Sequence, residues 1–346
     1  MLAPDDCILL NRGGPGGAMA EAMFKLAGMA PRLCRKLRSL RPALLHAHHG
    51  VSGALALPLV RALDVPMVVT FHGADATAKL LPAYASLAQW AIRRRAERFK
   101  RDTALFVAVS EFIRRKLIDR GYPSEKIVVH HIGVDTREFR PDPGVAREPV
   151  VLFVGRLAEK KGCEYLIRAM AHVQQSCPNL RLVIAGDGPL KGILHALAAS
   201  TLREFTFLGL QSHDQVRDWM KRASILVAPS VTASNGDSEG LPMVIVEAQA
   251  MGLPVVASDH AGIGEAIADG ETGLMAAERD VETLARHIVR LSSDESLRLA
   301  ICANARRQAE TSFDLNRQTG VLEGLYDRVL EQSPDARVAR LIQLNH

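Results

Sequence analysis

The stretch SEGLPMVIVEAQAMGLPVVASD, residues 238–259, carries two carboxylates, Glu239 and Glu247, in otherwise apolar surroundings. Pro242 and the apolar residues after it predict a helix from about 242 to 251, because proline suits the first turn of a helix. Glu239 is then expected in the loop before the helix N-terminus, and Glu247 inside the helix. A carboxylate among apolar neighbours needs a partner, since an unpaired charge is costly to bury.

The residue types in this stretch also predict a chemistry. Carboxylates accept hydrogen bonds from neutral hydroxyl groups, which is typical of sugar and ribose recognition. The backbone N–H groups of Gly240 and Leu241 lie just before the predicted helix and can face a phosphate. The alternative for Glu247 is a solvated position on a surface helix.

Around this stretch, short β-branched runs alternate with helical segments, a pattern typical of parallel α/β proteins. Three prolines and a glycine at 139–149 predict a linker between two halves. A chain of 346 residues accommodates two domains, so we expect two doubly wound sheets with a ligand cleft at the carboxyl ends of their strands. The predicted strands are 7–10, 43–47, 66–71, 104–109 and 126–132, then 150–154, 180–185, 205–209, 225–229 and 254–258.

Composition excludes several other classes of protein. The five cysteines are scattered without a C-x-x-C pair, which argues for a reducing compartment and against a disulfide framework or a zinc site. No apolar run reaches the roughly 18 residues of a membrane-spanning helix, and the first residues lack a signal-peptide pattern. A cytoplasmic protein is therefore expected.

Basic residues concentrate in the first half of the chain. Residues 1–149 contain 23 Lys and Arg against 14 Asp and Glu, whereas residues 150–346 contain 20 against 24. The excess lies in two runs of helical composition, 31–42 and 93–101. They fit either a solvated helix face or an anionic partner such as a membrane surface or a lipid diphosphate. Nucleic acid is the least favoured partner, because few aromatic residues accompany the basic ones.

Two turns after predicted strands have the composition of phosphate-binding loops. GRLAEKKG, residues 155–162, places the cations Arg156 and Lys161 between a strand and a helix. Backbone N–H groups at the start of that helix would help the two cations to bind a diphosphate. AGDGP, residues 185–189, has glycines that permit a close backbone approach. The alternatives are a solvated basic loop and a plain turn in which Asp187 caps the helix.

Taken in order, GRLAEKKG, AGDGP, the FLG at 207–209, EGLPMVIVE and AIADGETGL at 266–274 resemble the retaining glycosyltransferases of family four. The resemblance is colinear over roughly residues 44–330 and implies the GT-B arrangement of two facing Rossmann-like domains. The segment SVTASNGDSEGLP further resembles bacterial enzymes of exopolysaccharide assembly, of the colanic-acid kind. The implied domains are 1–142 on the acceptor side, 143–315 for the nucleotide sugar, and a C-terminal helix in 316–346 that crosses back to the first domain.

The resemblance also implies roles for individual residues. Arg156 and Lys161 would hold the diphosphate of the donor. Glu239 would bind hydroxyls of the transferred sugar, and Glu247 those of the ribose. Contacts to the sugar and the distal phosphate would come from Gly240, Leu241 and Pro242. Residues near the nucleotide base would be Asp187, Gly188, Leu208, Gly209 and Leu210. The catalytic set would be His72, Arg156, Lys161 and Glu239.

In the first half, VVTFHGADAT resembles the H-G-x-D element of the family. It implies that His72 reaches the donor sugar, while Asp75 caps or orients the loop on the acceptor side. LHAHHG, residues 45–50, could suggest a metal site, but one of its histidines opposes the other two and no acid lies nearby. An acceptor-side or structural role is therefore favoured for His48. Ser110 would cap a helix or face the cleft.

The first residues depart from the family pattern, because only 45 residues precede the histidine cluster. CILLNRGGPGGAMAEAMF, residues 7–24, is either a compressed strand, glycine loop and helix, or a remnant of that unit. In the first case Gly16 and Gly17 would lie beside the acceptor. In the second case acceptor binding would be incomplete.

The predicted activity is transfer of a hexosyl unit from a nucleotide diphosphate sugar to a saccharide or polyprenyl-diphosphate-linked acceptor, with anomeric retention and without a metal or other cofactor. The basic runs would contact anionic lipid at the inner face of the membrane. The alternatives are a nucleotide-sugar epimerase and a donor-binding protein that is inactive because its first unit is curtailed. A dinucleotide dehydrogenase fits poorly, since RGGPGG is not the G-x-G-x-x-G pattern.

Overall fold

The computed structural model describes residues 19, 21–25, 31–78 and 87–332, with the side chains of 87–92 left out. The glycine-rich segment with Gly16 and Gly17, and the strand predicted at 7–10, lie outside these residues. The chain divides into two compact units. The first contains the described residues up to Val109, then Ile113–His130 and the segment that starts at Val321, and the second contains Ser110–Phe112 and His131–Gly320.

The first unit is a parallel sheet of four strands in the order β1-β2-β3-β4, covered by helices. Its strands are β1 Leu45–His48, β2 Met67–Phe71, β3 Leu105–Ala108 and β4 Ile127–Val129. Every residue of β2 and β3 is buried, as expected for strands covered on both faces. Leu325 and Val329 of the C-terminal helix pack against this sheet. Its helices are Pro31–Leu40, Gly50–Leu63, Ala74–Thr77, Leu87–Asp102, Glu111–Asp119 and part of Leu315–Glu331.

The second unit is a parallel sheet of six strands in the order β10-β9-β8-β5-β6-β7. The order reverses at β5, which lies between β8 and β6, and such a reversal opens a crevice at the carboxyl ends of the strands. The strands are β5 Val150–Val154, β6 Arg181–Ala185, β7 Phe205–Gly209, β8 Ile225–Ala228, β9 Val255–Asp259 and β10 Leu274–Ala277. The helices are Cys163–Ser176, Lys191–Thr201, His213–Arg222, Met243–Ala250, Val281–Ser293, Glu295–Ser312 and the start of Leu315–Glu331.

The predicted fold class, α/β with two Rossmann-like parallel-sheet domains, is confirmed. The nine strands predicted within the described ranges form close to the predicted positions, and the helix predicted at about 242–251 is Met243–Ala250. The sequence did not predict β10. Its residues, Leu-Met-Ala-Ala, include no β-branched or aromatic side chain to signal a strand.

The long continuous segment of the second unit starts at His131, whereas the sequence predicts the domain boundary at 142. The backbone explains this difference, because Val134 pairs with the segment around Asp314. The guanidinium of Arg306 also donates to the carbonyls of Thr136, at 3.0 Å, and Phe139, at 2.6 Å. Proline content marks where the chain is irregular, but these hydrogen bonds decide which sheet the irregular segment joins.

Candidate functional site

Arg156 and Lys161 follow β5 in the second unit, at the point where the strand order reverses. A short 3-10 helix, Glu159–Lys161, ends at Gly162, which has a left-handed backbone with φ of 62°. A Cβ atom at Gly162 would lie 1.8 Å from the carbonyl oxygen of Pro229. Glycine is therefore needed for this loop to approach the segment that follows β8.

The loop after β8 is held by the three residues of that 3-10 helix. Glu159 accepts hydrogen bonds from the N–H and the hydroxyl of Ser234, both at 2.8 Å. Lys160 donates to Asp237 at 3.0 Å. These contacts fix the path of the loop up to Glu239.

Lys161 and Glu239, two predicted site residues, form an ion pair of 2.8 Å between Nζ and Oε1. The Glu239 side chain is only 8% exposed. Although the two atoms are close, Glu239 Oε1 receives no well-directed hydrogen bond from any described residue. A buried carboxylate with an unsatisfied oxygen can accept a hydrogen bond from a ligand hydroxyl.

The helix Met243–Ala250 starts immediately after Gly240, Leu241 and Pro242, all three of which are buried. Pro242 occupies the N-cap position. As predicted, Glu239 lies before this helix and Glu247 lies within it.

The side-chain carboxylate of Glu247 accepts no hydrogen bond from another described residue, so the described residues do not supply the hydrogen-bond partner that a carboxylate in apolar surroundings needs. Burial raises the pKa of its carboxyl, and the nearby His213 only partly opposes that effect. The side chain is half-buried and is therefore a hydrogen-bond acceptor that lacks donors.

A cavity of about 390 Å³ lies beside Arg156 at the carboxyl ends of β5 and β6. Its size lies within the range of small-molecule sites. Gly186 and Gly188 allow the two strand ends to meet, because a Cβ atom would lie 1.9 Å from Gly155 O in one case and 2.5 Å from Leu157 O in the other. The lining residues are Val154, Gly155, Arg156, Ala185, Gly186, Asp187, Leu210, Gln211 and Val216.

Among the residues predicted near the base, Asp187 and Leu210 line this cavity. Leu210 is 80% exposed, which is unusual for leucine and leaves an apolar surface beside the cavity. The Asp187 carboxylate binds Lys191, at 2.6 Å, and the N–H of Gly188, at 2.7 Å. Both contacts, that with Lys191 first, lower the pKa of Asp187. The carboxylate thus orients its own turn, whereas Leu190 occupies the N-cap of the following helix.

In the first unit, the predicted histidines meet at the ends of β1 and β2. His48 Nδ1 lies 2.9 Å from His72 Nε2. His46 Nδ1 lies 2.6 Å from the Tyr326 hydroxyl, and its Nε2 lies 2.7 Å from the Thr70 hydroxyl. Burial, reinforced by neighbouring histidines, lowers the pKa of His46 and of His72 to about 4. The cluster is therefore neutral near pH 7.

Asp75 organises the loop that carries His72. Its carboxylate is 5% exposed and accepts from the N–H groups of His72, Gly73 and Gly50 at 2.9–3.1 Å. With its lone pairs directed at the backbone, Asp75 orients the loop. Ser110 is fully buried, next to Gly262. Within the described residues, no group of three or more His, Cys, Asp and Glu side chains has an arrangement that could hold a metal ion.

Sequence reasoning missed His260, Glu278 and Gln211. Gln211 lines the cavity beside Leu210. His260 and Glu278 follow β9 and β10 and form a hydrogen-bonded pair behind Glu239. The only sequence signal for this pair was a polar residue directly after each strand, and β10 itself was not predicted.

Comparisons with known proteins bear on both units. Residues 135–308 match the model of group 1 glycosyl transferases, and residues 13–138 match that of glycosyltransferase family 4. The chain is 34% identical to the amylovoran biosynthesis glycosyltransferase AmsK of Erwinia amylovora, over 77% of this chain and 65% of AmsK. It is 31% identical to WcaL of Escherichia coli, which is assigned to colanic acid biosynthesis, over 80% of this chain and 69% of WcaL.

A solved structure shares the fold. Anabaena HepE in complex with UDP and glucose superposes with a TM-score of 0.72 at 24% identity, over 87% of this chain and 83% of that chain. Together with the two family matches, these relatives confirm the resemblance inferred from the motifs. The chain belongs to the family of group 1 glycosyl transferases.

Proposed function

We propose that this chain transfers a hexosyl unit from a nucleotide diphosphate sugar to a saccharide hydroxyl, with retention of the anomeric configuration. The observation that carries the proposal is the Lys161–Glu239 pair at the start of the helix Met243–Ala250. It combines a cation, backbone N–H groups and a buried carboxylate with an unsatisfied oxygen. A diphosphate joined to a polyhydroxylated sugar complements this set of groups.

Binding of such a donor exchanges one set of contacts for another. The donor diphosphate competes with Glu239 for Lys161 and draws on Arg156, while Glu239 accepts hydrogen bonds from sugar hydroxyls. Glu247 receives the ribose hydroxyls that its half-buried carboxylate lacks. The cavity beside Leu210 takes the nucleotide base. Each group of the donor thereby satisfies a charge or an acceptor on the protein.

In the reaction, the bond from the anomeric carbon to the donor phosphate breaks and a bond to the acceptor oxygen forms on the same face. The departing phosphate takes the proton of the acceptor hydroxyl. Arg156, Lys161 and the helix N-terminus stabilise the negative charge that develops on the leaving diphosphate, without a metal ion. His72, in the first unit, is neutral near pH 7 and can share hydrogen bonds with a sugar hydroxyl.

The acceptor we propose is a saccharide or a polyprenyl-diphosphate-linked oligosaccharide of surface or exopolysaccharide assembly. AmsK and WcaL, through their assigned pathways, support this choice. None of the described helices is long and apolar enough to cross a bilayer. The helix Pro31–Leu40 carries four basic residues and buries none of its side chains, so it can lie against anionic lipid on the cytoplasmic face. Binding to anionic vesicles should weaken as salt increases.

A donor screen tests the proposal. Purified protein is incubated with UDP- and GDP-sugars, and thermal stabilisation and release of nucleoside diphosphate are measured with and without membrane lipid extract. We expect one nucleotide to stabilise the protein and its release to depend on acceptor. Release of an altered sugar without acceptor would indicate an epimerase, and stabilisation without any turnover would indicate a donor-binding protein. Absence of stabilisation by every donor would reject the site.

A further inference from the structure

The backbone N–H of Glu239 forms a hydrogen bond with a buried histidine side chain. His260, immediately after β9, is 3% exposed. Its Nε2 accepts a hydrogen bond of 3.4 Å from the backbone N–H of Glu239. Its Nδ1 lies 2.5 Å from Oε1 of Glu278, which follows β10. The imidazole ring of His260 therefore links the backbone N–H of Glu239 to the carboxylate of Glu278.

These partners determine the tautomer of His260. A backbone N–H can only donate, so the Nε2 atom that faces it must be unprotonated. The neutral ring then carries its proton on Nδ1, where it donates to Glu278. The opposite tautomer, or a doubly protonated ring, would set two N–H groups against each other at Glu239. Glu278 selects the form that can hold the Glu239 peptide.

Glu278 is fixed in turn by the loop after β8. It accepts hydrogen bonds from the N–H of Thr232, at 3.0 Å, and from the Thr232 hydroxyl, at 3.1 Å. Burial alone would raise the pKa of Glu278, but hydrogen bonds from Thr232 and His260 outweigh it and lower the pKa. Glu278 is thus ionised near pH 7 and accepts the Nδ1 proton.

A second contact supports the same backbone. Two residues after His260, Gly262 packs so tightly on the Glu239 loop that a Cβ atom there would lie 1.7 Å from the carbonyl oxygen of Gly240. The turn after β9 therefore touches two consecutive residues, by a hydrogen bond at Glu239 and by close packing at Gly240. Both residues belong to the stretch that bears the buried carboxylate and leads into the helix.

We propose that His260, kept in its Nδ1–H form by Glu278, is a positioning residue that aims the Glu239 carboxylate at the sugar of the donor. It acts through the peptide of Glu239 and does not touch the donor. The inference rests on the proposed function, since it assigns His260 to the sugar half of that site. It predicts that loss of the Nε2 acceptor weakens recognition of the sugar and leaves recognition of the nucleotide intact.

Two substitutions of His260 separate its two hydrogen bonds. In His260→Gln, the side-chain carbonyl can reach the position of Nε2 and accept from Glu239. In His260→Asn, the amide can occupy the position of Nδ1 and donate to Glu278, but nothing reaches Glu239. His287→Gln is the matched control, because His287 lies in the same unit and its side chain forms a hydrogen bond with the carbonyl of Met275, at 3.1 Å, and none with Glu239 or Glu278.

The measurement is the ratio of dissociation constants for UDP and UDP-glucose, or for GDP and GDP-mannose where the donor screen selects guanine. We expect His260→Asn to lower this ratio about 10-fold and His260→Gln to keep it within about 3-fold, from the loss of one directed hydrogen bond. Binding of the nucleoside diphosphate alone should not change in either variant. Thermal unfolding of each variant is measured alongside to identify any general loss of structure.

A second measurement reads the tautomer directly. Long-range nitrogen–proton NMR of the histidine side chains should show His260 with its proton on Nδ1 and should retain that signal in the absence of donor. A proton on Nε2, or an unchanged affinity ratio in His260→Asn, would overturn this inference alone. A wild-type chain that binds no nucleotide sugar would overturn the proposed function and this inference together.

Discussion

The carboxyl ends of the strands carry polar side chains in both units, but the two sets differ in how they are satisfied. In the first unit, His46 and His48 form hydrogen bonds with Thr70, Tyr326 and His72. In the second unit, the Lys161–Glu239 pair leaves one carboxylate oxygen without a directed hydrogen bond, and the Glu247 carboxylate accepts no hydrogen bond from a described residue.

Under the proposed function, this difference corresponds to what each sheet end would bind. Neutral groups that satisfy one another are stable without a ligand and present an uncharged surface, which suits the hydroxyls of an acceptor. Charged and unsatisfied groups carry a free-energy cost that a ligand can remove, and here they match the diphosphate and hydroxyls of a donor. The substitutions below test whether charge and unmet hydrogen bonds, rather than position at a sheet end, distinguish the donor site.

The largest expected effect is on turnover, in Lys161→Met. Loss of the cation removes stabilisation of the departing diphosphate, and kcat/KM should fall about 10²–10³-fold. Lys160→Met is the matched control, because Lys160 lies in the same 3-10 helix but pairs with Asp237. An equal loss in both variants would show that the loop, and not the Lys161 cation, is responsible.

Lys161→Met also leaves the buried Glu239 carboxylate unpaired, so the variant should unfold more easily. Adding Glu239→Gln to it should restore stability but not turnover. Urea unfolding of the single and double variants measures this coupling. Restored turnover in the double variant would contradict the assignment of Lys161 to the diphosphate.

A pair of glycine substitutions compares the two sheet ends directly. Gly262→Ala places a methyl group against the carbonyl of Gly240, and Gly50→Ala places one against the ring of Phe71 in the first unit. Each should destabilise its unit by about 1–3 kcal/mol through overpacking. Only Gly262→Ala should also weaken donor binding, measured by calorimetry. Equal donor binding in the two variants would argue against a role for the Gly240 backbone.

Much of the fold followed from sequence patterns. Runs such as VVLFV predicted buried strands because continuous apolar, β-branched residues suit a sheet that is covered on both faces. The strand β10 was missed because Leu, Met and Ala favour helix over strand, and its pairing with β9 is decided by tertiary contacts. The contact of Arg306 with Thr136 in the second unit is likewise not visible in a local pattern, since Arg306 lies far along the chain from Thr136.

The candidate site followed from sequence only where the chemistry was local. Glu239 and Glu247 were predicted from one continuous stretch, and the structure places them before and within its helix. The ion pair of Glu239 with Lys161 and its contact with His260 join residues distant in sequence, and neither could be read from a local pattern. For Asp187, the contacts within its own turn, with Gly188 and Lys191, are also local in sequence.

The histidine cluster predicts a loss of stability in acid. The pKa of His46 is about 4 in the folded chain, whereas an unperturbed histidine has a pKa of 6.5. The unfolded chain therefore binds the proton first as the pH falls. The stability that His46 contributes is fully present above pH 6.5 and is lost as the pH falls to about 4. Urea unfolding between these values should show a loss of about 1–2 kcal/mol, since partial solvation reduces the effect. His46→Gln cannot be protonated and should flatten this dependence, and an unchanged slope would contradict the assignment.

The smallest expected effect is a gain of stability in Glu247→Gln. Burial raises the pKa of this carboxyl above 4.5, so the folded chain holds the proton more tightly than the unfolded chain does. The stabilising effect of that proton is present below pH 4.5 and is lost as the pH rises through the raised value. At pH 7 the charged form is a cost, and its removal should stabilise the protein by about 0.5–1 kcal/mol. Near pH 4 the gain should vanish.

The same substitution should weaken donor binding about 10-fold, because the amide is a poorer acceptor for ribose hydroxyls than a carboxylate. Glu164→Gln is the matched control, since Glu164 lies in a helix of the same unit but pairs with Arg168 at the surface. It should change neither property by much, as exposed ion pairs contribute little. Tighter folding together with weaker donor binding, found only at Glu247, would show that the second unit gives up stability to keep a hydrogen-bond acceptor for its donor. Unchanged donor affinity in Glu247→Gln would remove the ribose contact from the site.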